Sequence, residues 1–270
     1  MSELTARLPK VKVRGERREP TLDVVAHEEP LELQVHGTSL AVVMRTPGHD
    51  EELGAGFLLT EGVISAWTEV ESIRHCTTAP TPEAEDNVLQ IHLRVPVDLA
   101  KFKRHQFASS SCGVCGKATL ENALRTSPPI RSELTVSPAV LVSLSAKLRA
   151  NQPAFDTTGG LHAAGLFTVR GELLVAREDV GRHNAVDKVI GWALHSGTSM
   201  SGAVMMVSGR LSFELVQKCV AAKIPVLAGI SAPTSLAVRM ADALGVTLVG
   251  FLRDDGMNVY AHAERITAAT

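Results

Sequence analysis

Three short runs in the second half of the chain are strongly apolar: Ala203–Val207 from end to end, residues 225–230, and residues 246–252 with Thr247 as the one polar member. A strand with no polar alternation is one covered on both faces, the usual condition of a parallel sheet sandwiched between helices. The segments between the runs carry a helical period. Val186, Val189, Ile190, Ala193 and Leu194 recur at spacings of three and four, with Asn184 placed to cap that helix and Gly197 just beyond its end. Ser212 opens a second helix, and residues 234–244 form a third. Upstream, residues 162–169 and 172–176 are apolar strands split by Arg170-Gly171, a hairpin signal, and residues 141–148 read as a helix. Strand and helix alternate, which predicts an α/β domain with a largely parallel, buried sheet.

The first half has another rhythm. Leu31, Leu33 and Val35 alternate with Glu32 and Gln34, His36-Gly37 is a turn, and residues 40–44 return as a strand. In TPGHDEELGAGFLLTEGVI, Asp50 or an earlier polar residue is placed to cap a helix that puts Leu53, Phe57 and Leu58 on one face and ends at Gly62. Strands follow at 72–76 and 88–95, around a Pro- and Glu-rich loop at 79–86. Residues 96–116 fit no period and read as a mobile loop, followed by a short helix at 117–124 and a border at Pro128-Pro129. The expected organisation is a flexible basic arm over 1–22, a small α+β domain over 23–130 and the α/β domain over 131–270.

With 45% apolar residues the chain of 270 can bury a real core, and with a formal net charge of −2 it has no global field for nucleic acid or an anionic membrane. Aromatic residues make up only 4%, too few for a base-stacking platform. No run is long and apolar enough to span a bilayer, and the N-terminus lacks a signal core, so a cytoplasmic location is expected. Four cysteines, Cys76, Cys112, Cys115 and Cys219, make no disulfide framework.

Chemistry centres on Cys112-Gly113-Val114-Cys115, set after three serines in the irregular stretch. Half a zinc site would need two more soft ligands, which no second CxxC or His pair supplies. A thioredoxin-like motif would follow a strand directly. Sulfur transfer needs an accessible thiolate, and the flanking glycines, with Lys117, Arg104 and His105 close in sequence, suit it. The pair alone leaves all three readings open. Separately, three arginines fall at the same kind of place, after a strand and before a helix or turn: Arg182 in DVGRHN, Arg210 in Ser208-Gly209-Arg210, and Arg253 near the end of the last core strand. Such ends bind phosphate-bearing ligands in α/β sheets. His162, beside Gly159-Gly160, and His183 belong to the same neighbourhood, although a structural role is the commoner one for either taken singly. No Walker A or GxGxxG motif occurs.

Taken in order, SSCGVCGK, GGLHAAGLF, REDVGRHNAVDKVIG, SGRLSFELVQK, SAPTSLAVRMA and VGFLRDDGMNVY resemble the formate dehydrogenase accessory sulfurtransferase family, FdhD, over roughly residues 24–265. The resemblance implies a cytoplasmic homodimer with a three-layer domain similar to the cytidine deaminase fold. It implies a protein that takes persulfide sulfur from a cysteine desulfurase and passes it to the bis-molybdopterin guanine dinucleotide form of the molybdenum cofactor, for formate dehydrogenase. By motif position Cys112 matches the persulfide carrier and Cys115 its partner, with no resident metal. Phe251, Leu252, Arg253, Asp254, Asp255 and Gly256 match the cofactor-binding stretch, and Arg210, Arg182, His183 and His162 are further candidate contacts. Deaminase activity itself is disfavoured, because His162-Ala163-Ala164 lacks the glutamate of His-x-Glu and the CxxC lies upstream. A cofactor-binding chaperone that carries no sulfur is the other alternative.

Overall fold

The computed structural model describes residues 4–78, 85–99, 128–253 and 256–267. Its centre is a six-stranded sheet of order β12-β11-β10-β9-β7-β8, built from β7 (His162–Thr168), β8 (Leu173–Asp179), β9 (Ala203–Val207), β10 (Val226–Gly229), β11 (Thr247–Arg253) and β12 (Gly256–Ala261). Only β9, β10 and β11 run parallel; β7, β8 and β12 are antiparallel to their neighbours. The expected largely parallel sheet is thus a mixed one. The hairpin at Gly171 forces β8 back along β7, and β12, which the sequence reading did not separate from the last core strand, returns along β11.

The apolar runs are buried on both faces for a visible reason. Val204, Met206, Val226, Ala228 and Val249 point to one side, where α2 (Pro138–Arg149) lays Leu141, Leu144 and Leu148 against them. Met205, Val207, Leu227 and Leu248 point to the other, under α4 (Arg182–Ser196), α5 (Phe213–Ala221) and α6 (Ser235–Leu244). Helices on both faces of a sheet make the α/β class expected from the strand–helix alternation. Ser137 caps α2 by accepting from the Val140 N–H (3.3 Å), ahead of Pro138 at the first helical position. A short helix not foreseen, α3 (Pro153–Thr158), precedes β7.

The smaller sheet has the order β4-β3-β6-β5, from β3 (Glu29–Val35), β4 (Thr38–Arg45), β5 (Val70–His75) and β6 (Val88–Leu93). His36 and Gly37 both take positive φ, the geometry of a tight hairpin turn that matches strand twist. Leu31, Leu33, Val35, Leu89, Ile91 and Leu93 face α1 (Asp50–Thr60). One buried cluster runs on from these strands through α1 and α4 to the main sheet, so the two sheets share a core.

Two local expectations are corrected. Of the two caps allowed for α1, Asp50 is not the one used: the cap position falls to the earlier His49, whose side chain makes no capping bond. Asp50 is the first helical residue, and its buried carboxylate pairs with the buried Arg45 guanidinium at 2.8 Å, which draws it away from the helix amides. Asn184 lies inside α4, whose cap is Gly181, because its side-chain amide donates to the Met44 carbonyl (2.7 Å) and to Asp179 (2.9 Å). The expected flexible arm is also corrected. β1 (Thr5–Arg14) and β2 (Arg17–Ala26) form an antiparallel hairpin about Gly15. The alternation of Val11 and Val13 with Lys10, Lys12 and Arg14 is the period of a strand, outweighing the high charge that suggested an arm.

Candidate functional site

The carboxyl ends of the three parallel strands lie along one edge of the main sheet, and antiparallel β7 and β8 bring His162 and Asp179 to the same edge. β9 stops at Val207, where the Ser208 N–H donates to the Ala163 carbonyl (3.0 Å) and the Ala163 N–H to Ser208 Oγ (2.9 Å). That pair of bonds pins the Ser208-Gly209-Arg210 turn against the start of β7. Gly209 packs closely there: a Cβ would sit 3.3 Å from both His162 Nδ1 and Arg182 Cδ, so both side chains lean against this turn. The edge therefore brings together His162, Arg182, His183 and Arg210, four of the residues singled out from sequence.

The charges around them are unbalanced. Burial, then the Arg182 guanidinium, holds the His162 imidazole below its ordinary pKa, with Arg210 adding to the effect against the opposing pull of Asp179. Burial also lowers Arg182, with Glu214 opposing and Arg210 reinforcing that shift. His183 is pushed down to about 3 by burial, then by Arg182, Lys218 and His162, and is neutral at physiological pH. Its Nε2 lies 3.4 Å from Ser212 Oγ and 3.9 Å from Glu214 Oε2. Arg182 Nε and Glu214 Oε2 are buried without a hydrogen-bond partner among the described residues. An unspent buried guanidinium nitrogen beside a second arginine is what a site for an anionic group looks like before the group arrives.

This depression has a sign that can be checked. The unfolded chain takes up a proton at His183 near pH 6.5, whereas the folded chain resists it down to about pH 3. Stability therefore falls as pH drops through that window. Between pH 7 and about pH 5, wild type should lose about 2 kcal/mol more than His183→Gln in urea unfolding. Equal losses in the two proteins would show that His183 takes up its proton as readily folded as unfolded.

The other candidates divide. Phe251 stands at the carboxyl end of β11 with φ of 53°, its N–H donating to Ser231 O (3.2 Å), and the residue is 39% exposed. A bulky side chain held in the left-handed region is strained, and strain of this kind collects at ligand sites. Arg253 pairs with Gly256 at the same edge. Leu252 is fully buried in the core on the α2 side, which leaves only its backbone to a ligand. Asp254, Asp255, Cys112, Cys115, Lys117, Arg104 and His105 lie outside the described residues. Of the remaining cysteines, Cys219 is completely buried and its thiol is pushed up to about 12, and Cys76 is buried with its sulfur 3.4 Å from Gln90 Nε2. Cys219 is therefore inert. Among the described residues no group of three His, Cys, Asp or Glu is placed to hold a metal ion, and no helix is long and apolar enough to cross a membrane.

Behind the edge lie two ionic groups that sequence reading missed. Asp179 and Lys188, both fully buried, meet at 2.7 Å. Lys218 and Asp187 meet at 2.8 Å beside Thr60. Burial opposes the Lys218 charge, but the attraction of Asp187 and Glu61 outweighs it and holds the ammonium above its ordinary pKa. Only the i,i+4 spacing of Glu214 and Lys218 could have hinted at a charged group here, and such spacings are common on solvated helices.

The FdhD/NarQ family model matches residues 26–267. The chain belongs to the FdhD/NarQ family. Sulfur carrier protein FdhD of Mycolicibacterium paratuberculosis is 53% identical over 245 residues, covering 88% of this chain and 90% of the relative. Sulfur carrier protein FdhD of Streptomyces avermitilis is 48% identical, covering 98% of this chain and 97% of the relative. A crystal structure from Desulfotalea psychrophila, described as a formate dehydrogenase accessory protein, superposes with a TM-score of 0.78 at 27% identity, covering 98% of this chain and all of that one. The FdhD/NarQ match spans the CxxC, the arginine edge and β11, whereas all of β1 and nearly all of β2 precede it.

Proposed function

We propose that the chain is a sulfur carrier that accepts sulfane sulfur from the persulfide of a cysteine desulfurase and delivers it to the bis-molybdopterin guanine dinucleotide molybdenum cofactor, its cargo, for formate dehydrogenase. The observation that carries the reading is the arginine edge. Arg182 and Arg210 stand together beside His162, with Arg182 Nε buried and unpartnered among the described residues, where pyrophosphate oxygens would complete the hydrogen bonding. Relatives that share about half of their residues with this chain are named sulfur carrier proteins, and the CxxC falls within the family match.

The chemistry balances on the two cysteines. The Cys112 thiolate attacks the terminal sulfur of the donor persulfide, expels the desulfurase thiolate and becomes Cys112–S–SH. Attack of the Cys115 thiolate on Cys112 Sγ then releases the outer sulfur as HS⁻ to the cargo and leaves a Cys112–Cys115 disulfide, which a dithiol reductant reopens. Neutral His183 cannot compete with the arginines for phosphate charge. It can still donate or accept a hydrogen bond at the same edge.

One experiment tests both halves. The protein is incubated with a cysteine desulfurase and sulfur-labelled cysteine, and the label is mapped by mass spectrometry while GDP binding is measured in parallel. Cys112→Ala is expected to lose the label and keep GDP affinity. A paired Arg182→Ala/Arg210→Ala variant is expected to keep the label and bind GDP roughly tenfold or more weakly, the scale of one or two lost charge-assisted bonds. Absence of label from wild type would remove the carrier reading in favour of a chaperone that only binds cofactor. Unchanged GDP affinity would remove the arginine edge as the cargo's seat.

A further inference from the structure

Most carboxylates near the arginine edge are already spent. Asp179 is committed to Lys188, Asp187 to Lys218 and Glu52 to Arg177. Glu178 accepts from the Ala154 N–H (3.0 Å) and the Phe155 N–H (2.7 Å). Glu214 is the exception. It stands in the first turn of α5, just after Ser212, and its Oε2 is buried with no hydrogen-bond partner among the described residues. His183 Nε2 lies 3.9 Å away, beyond hydrogen-bond reach, and the imidazole is neutral at physiological pH, so it supplies no counter-charge. Lys218, one turn further along α5, is spent on Asp187 and Thr60.

A buried carboxylate without a donor loses its hydration and recovers nothing for it. Glu214 is near enough to Arg182 for its charge to favour the guanidinium, yet Arg182 Nε is also left without a partner among the described residues. Opposite charges held close and left unjoined are not a structural ion pair. They offer a positive half and a negative half to one ligand. Bare phosphate or pyrophosphate satisfies the arginines and is repelled by Glu214. A molecule that carries phosphate oxygens together with N–H donors satisfies both halves.

We infer that Glu214 is a specificity-determining residue of this edge, accepting the paired N–H donors of a 2-amino-4-oxopyrimidine ring. The inference rests on the reading of the edge as the seat of the cargo. That cargo carries the ring in its guanines and again in its pterins. In each, a ring N–H and the neighbouring amino group point the same way in one plane, and a carboxylate meets them with two parallel charge-assisted hydrogen bonds. Adenine turns a bare ring nitrogen to the same place, an acceptor facing an acceptor. Hypoxanthine keeps the ring N–H and lacks the amino group. The Glu214 side chain is 21% exposed, so the carboxylate reaches the surface of the edge, and a neutral His183 leaves it unspent for the ring.

The test is calorimetric titration of the full chain, wild type and Glu214→Gln, with GDP, IDP, ADP, 2′-deoxy-GDP, inorganic pyrophosphate and neopterin monophosphate. Wild type is expected to bind GDP roughly tenfold or more tightly than IDP or ADP, the scale of one lost charge-assisted bond, and 2′-deoxy-GDP as tightly as GDP. Glu214→Gln keeps the side chain's shape and is expected to bring GDP down to the level of ADP. ADP and pyrophosphate should bind the variant no more weakly than wild type, which reports a folded edge. Loss of affinity confined to GDP assigns the guanine, and loss confined to neopterin monophosphate assigns the pterin. Undiminished binding of both by Glu214→Gln, or an equal loss for ADP and pyrophosphate, would overturn the inference. So would a wild-type penalty for 2′-deoxy-GDP that Glu214→Gln abolishes, which would place the ribose on Glu214. If GDP binding in that event still depends on Arg182 and Arg210, the cargo reading stands and only the role of Glu214 falls. A wild type that binds neither GDP nor the pterin would remove both.

Discussion

Gly191→Ala is expected to destabilise the protein by on the order of 4 kcal/mol, far beyond the usual effect of one methyl group. In an open helix the same change would stabilise by about 0.8–1 kcal/mol, because alanine loses less backbone freedom than glycine. Here the sign reverses through contact. A Cβ on Gly191 would sit 1.8 Å from the Glu52 carbonyl oxygen, and one on Gly56 would sit 1.9 Å from that of Asp187. The obstacles are backbone atoms of the facing helix, which no rotamer can clear. α1 and α4 would have to separate along their whole crossing, pulling Leu53 and Leu58 from Val186 and Ile190 in the core that the two sheets share. Urea unfolding of Gly191→Ala and Gly56→Ala should show the large loss in both, while Gly202→Ala, with nothing within 4 Å of its Cβ, should stay within about 0.5 kcal/mol of wild type. A loss below about 1 kcal/mol at Gly191 would mean the helices slide apart cheaply and that this crossing does not lock the halves together.

Why the crossing was invisible in sequence, although the strands were not, is a matter of what each signal encodes. Met205 and Val207 against Val204 and Met206 is a pattern that only two-sided burial explains, so β9 could be placed to the residue. Helix α1 reads from sequence as a stripe of Leu53, Phe57 and Leu58, but Phe57 is only half-buried and the glycines and Ala55 let the helix bury nearly all round. Gly56 and Gly191 become informative only when they face each other. The arginine edge was legible because strand ends announce themselves in the chain: Arg182 and Arg210 follow Gly181 and Gly209 after apolar runs. Glu214 and the buried pairs behind the edge were not, because a charged residue on an amphipathic helix reads as solvated until the partner that buries it is known. The hairpin was misread for a related reason. Charge density points to an arm, and the period of two at Val11 and Val13 is too short a signal to stand out against it.

The second large effect comes from the ion pair that holds the edge in register. Asp179 Oδ2 accepts from the Thr46 N–H at 3.2 Å and meets Lys188 Nζ at 2.7 Å, and Oδ1 accepts from the Gly181 N–H at 2.8 Å and from Asn184 Nδ2 at 2.9 Å. Lys188 completes the knot by donating to the Thr46 carbonyl at 2.8 Å. One carboxylate thus fixes the turn from β8 into α4, and with it the start of the helix that presents Arg182 and His183. Asp179→Asn keeps the shape and one acceptor but leaves a fully buried ammonium without its counter-charge, which should cost about 3–5 kcal/mol. If the loss is electrostatic, removing the stranded charge must relieve it. Asp179→Asn/Lys188→Met is expected to recover more than half of the stability, as paired removal of a buried ion pair does elsewhere. Urea midpoints of the two single variants and the double variant close the cycle. A double variant no more stable than Asp179→Asn would mean that the turn's hydrogen bonds, and not the buried charge, carry the energy. GDP binding separates the roles further: if Asp179 positions the arginines, Asp179→Asn binds more weakly even where it is fully folded, and the double variant regains stability without regaining affinity.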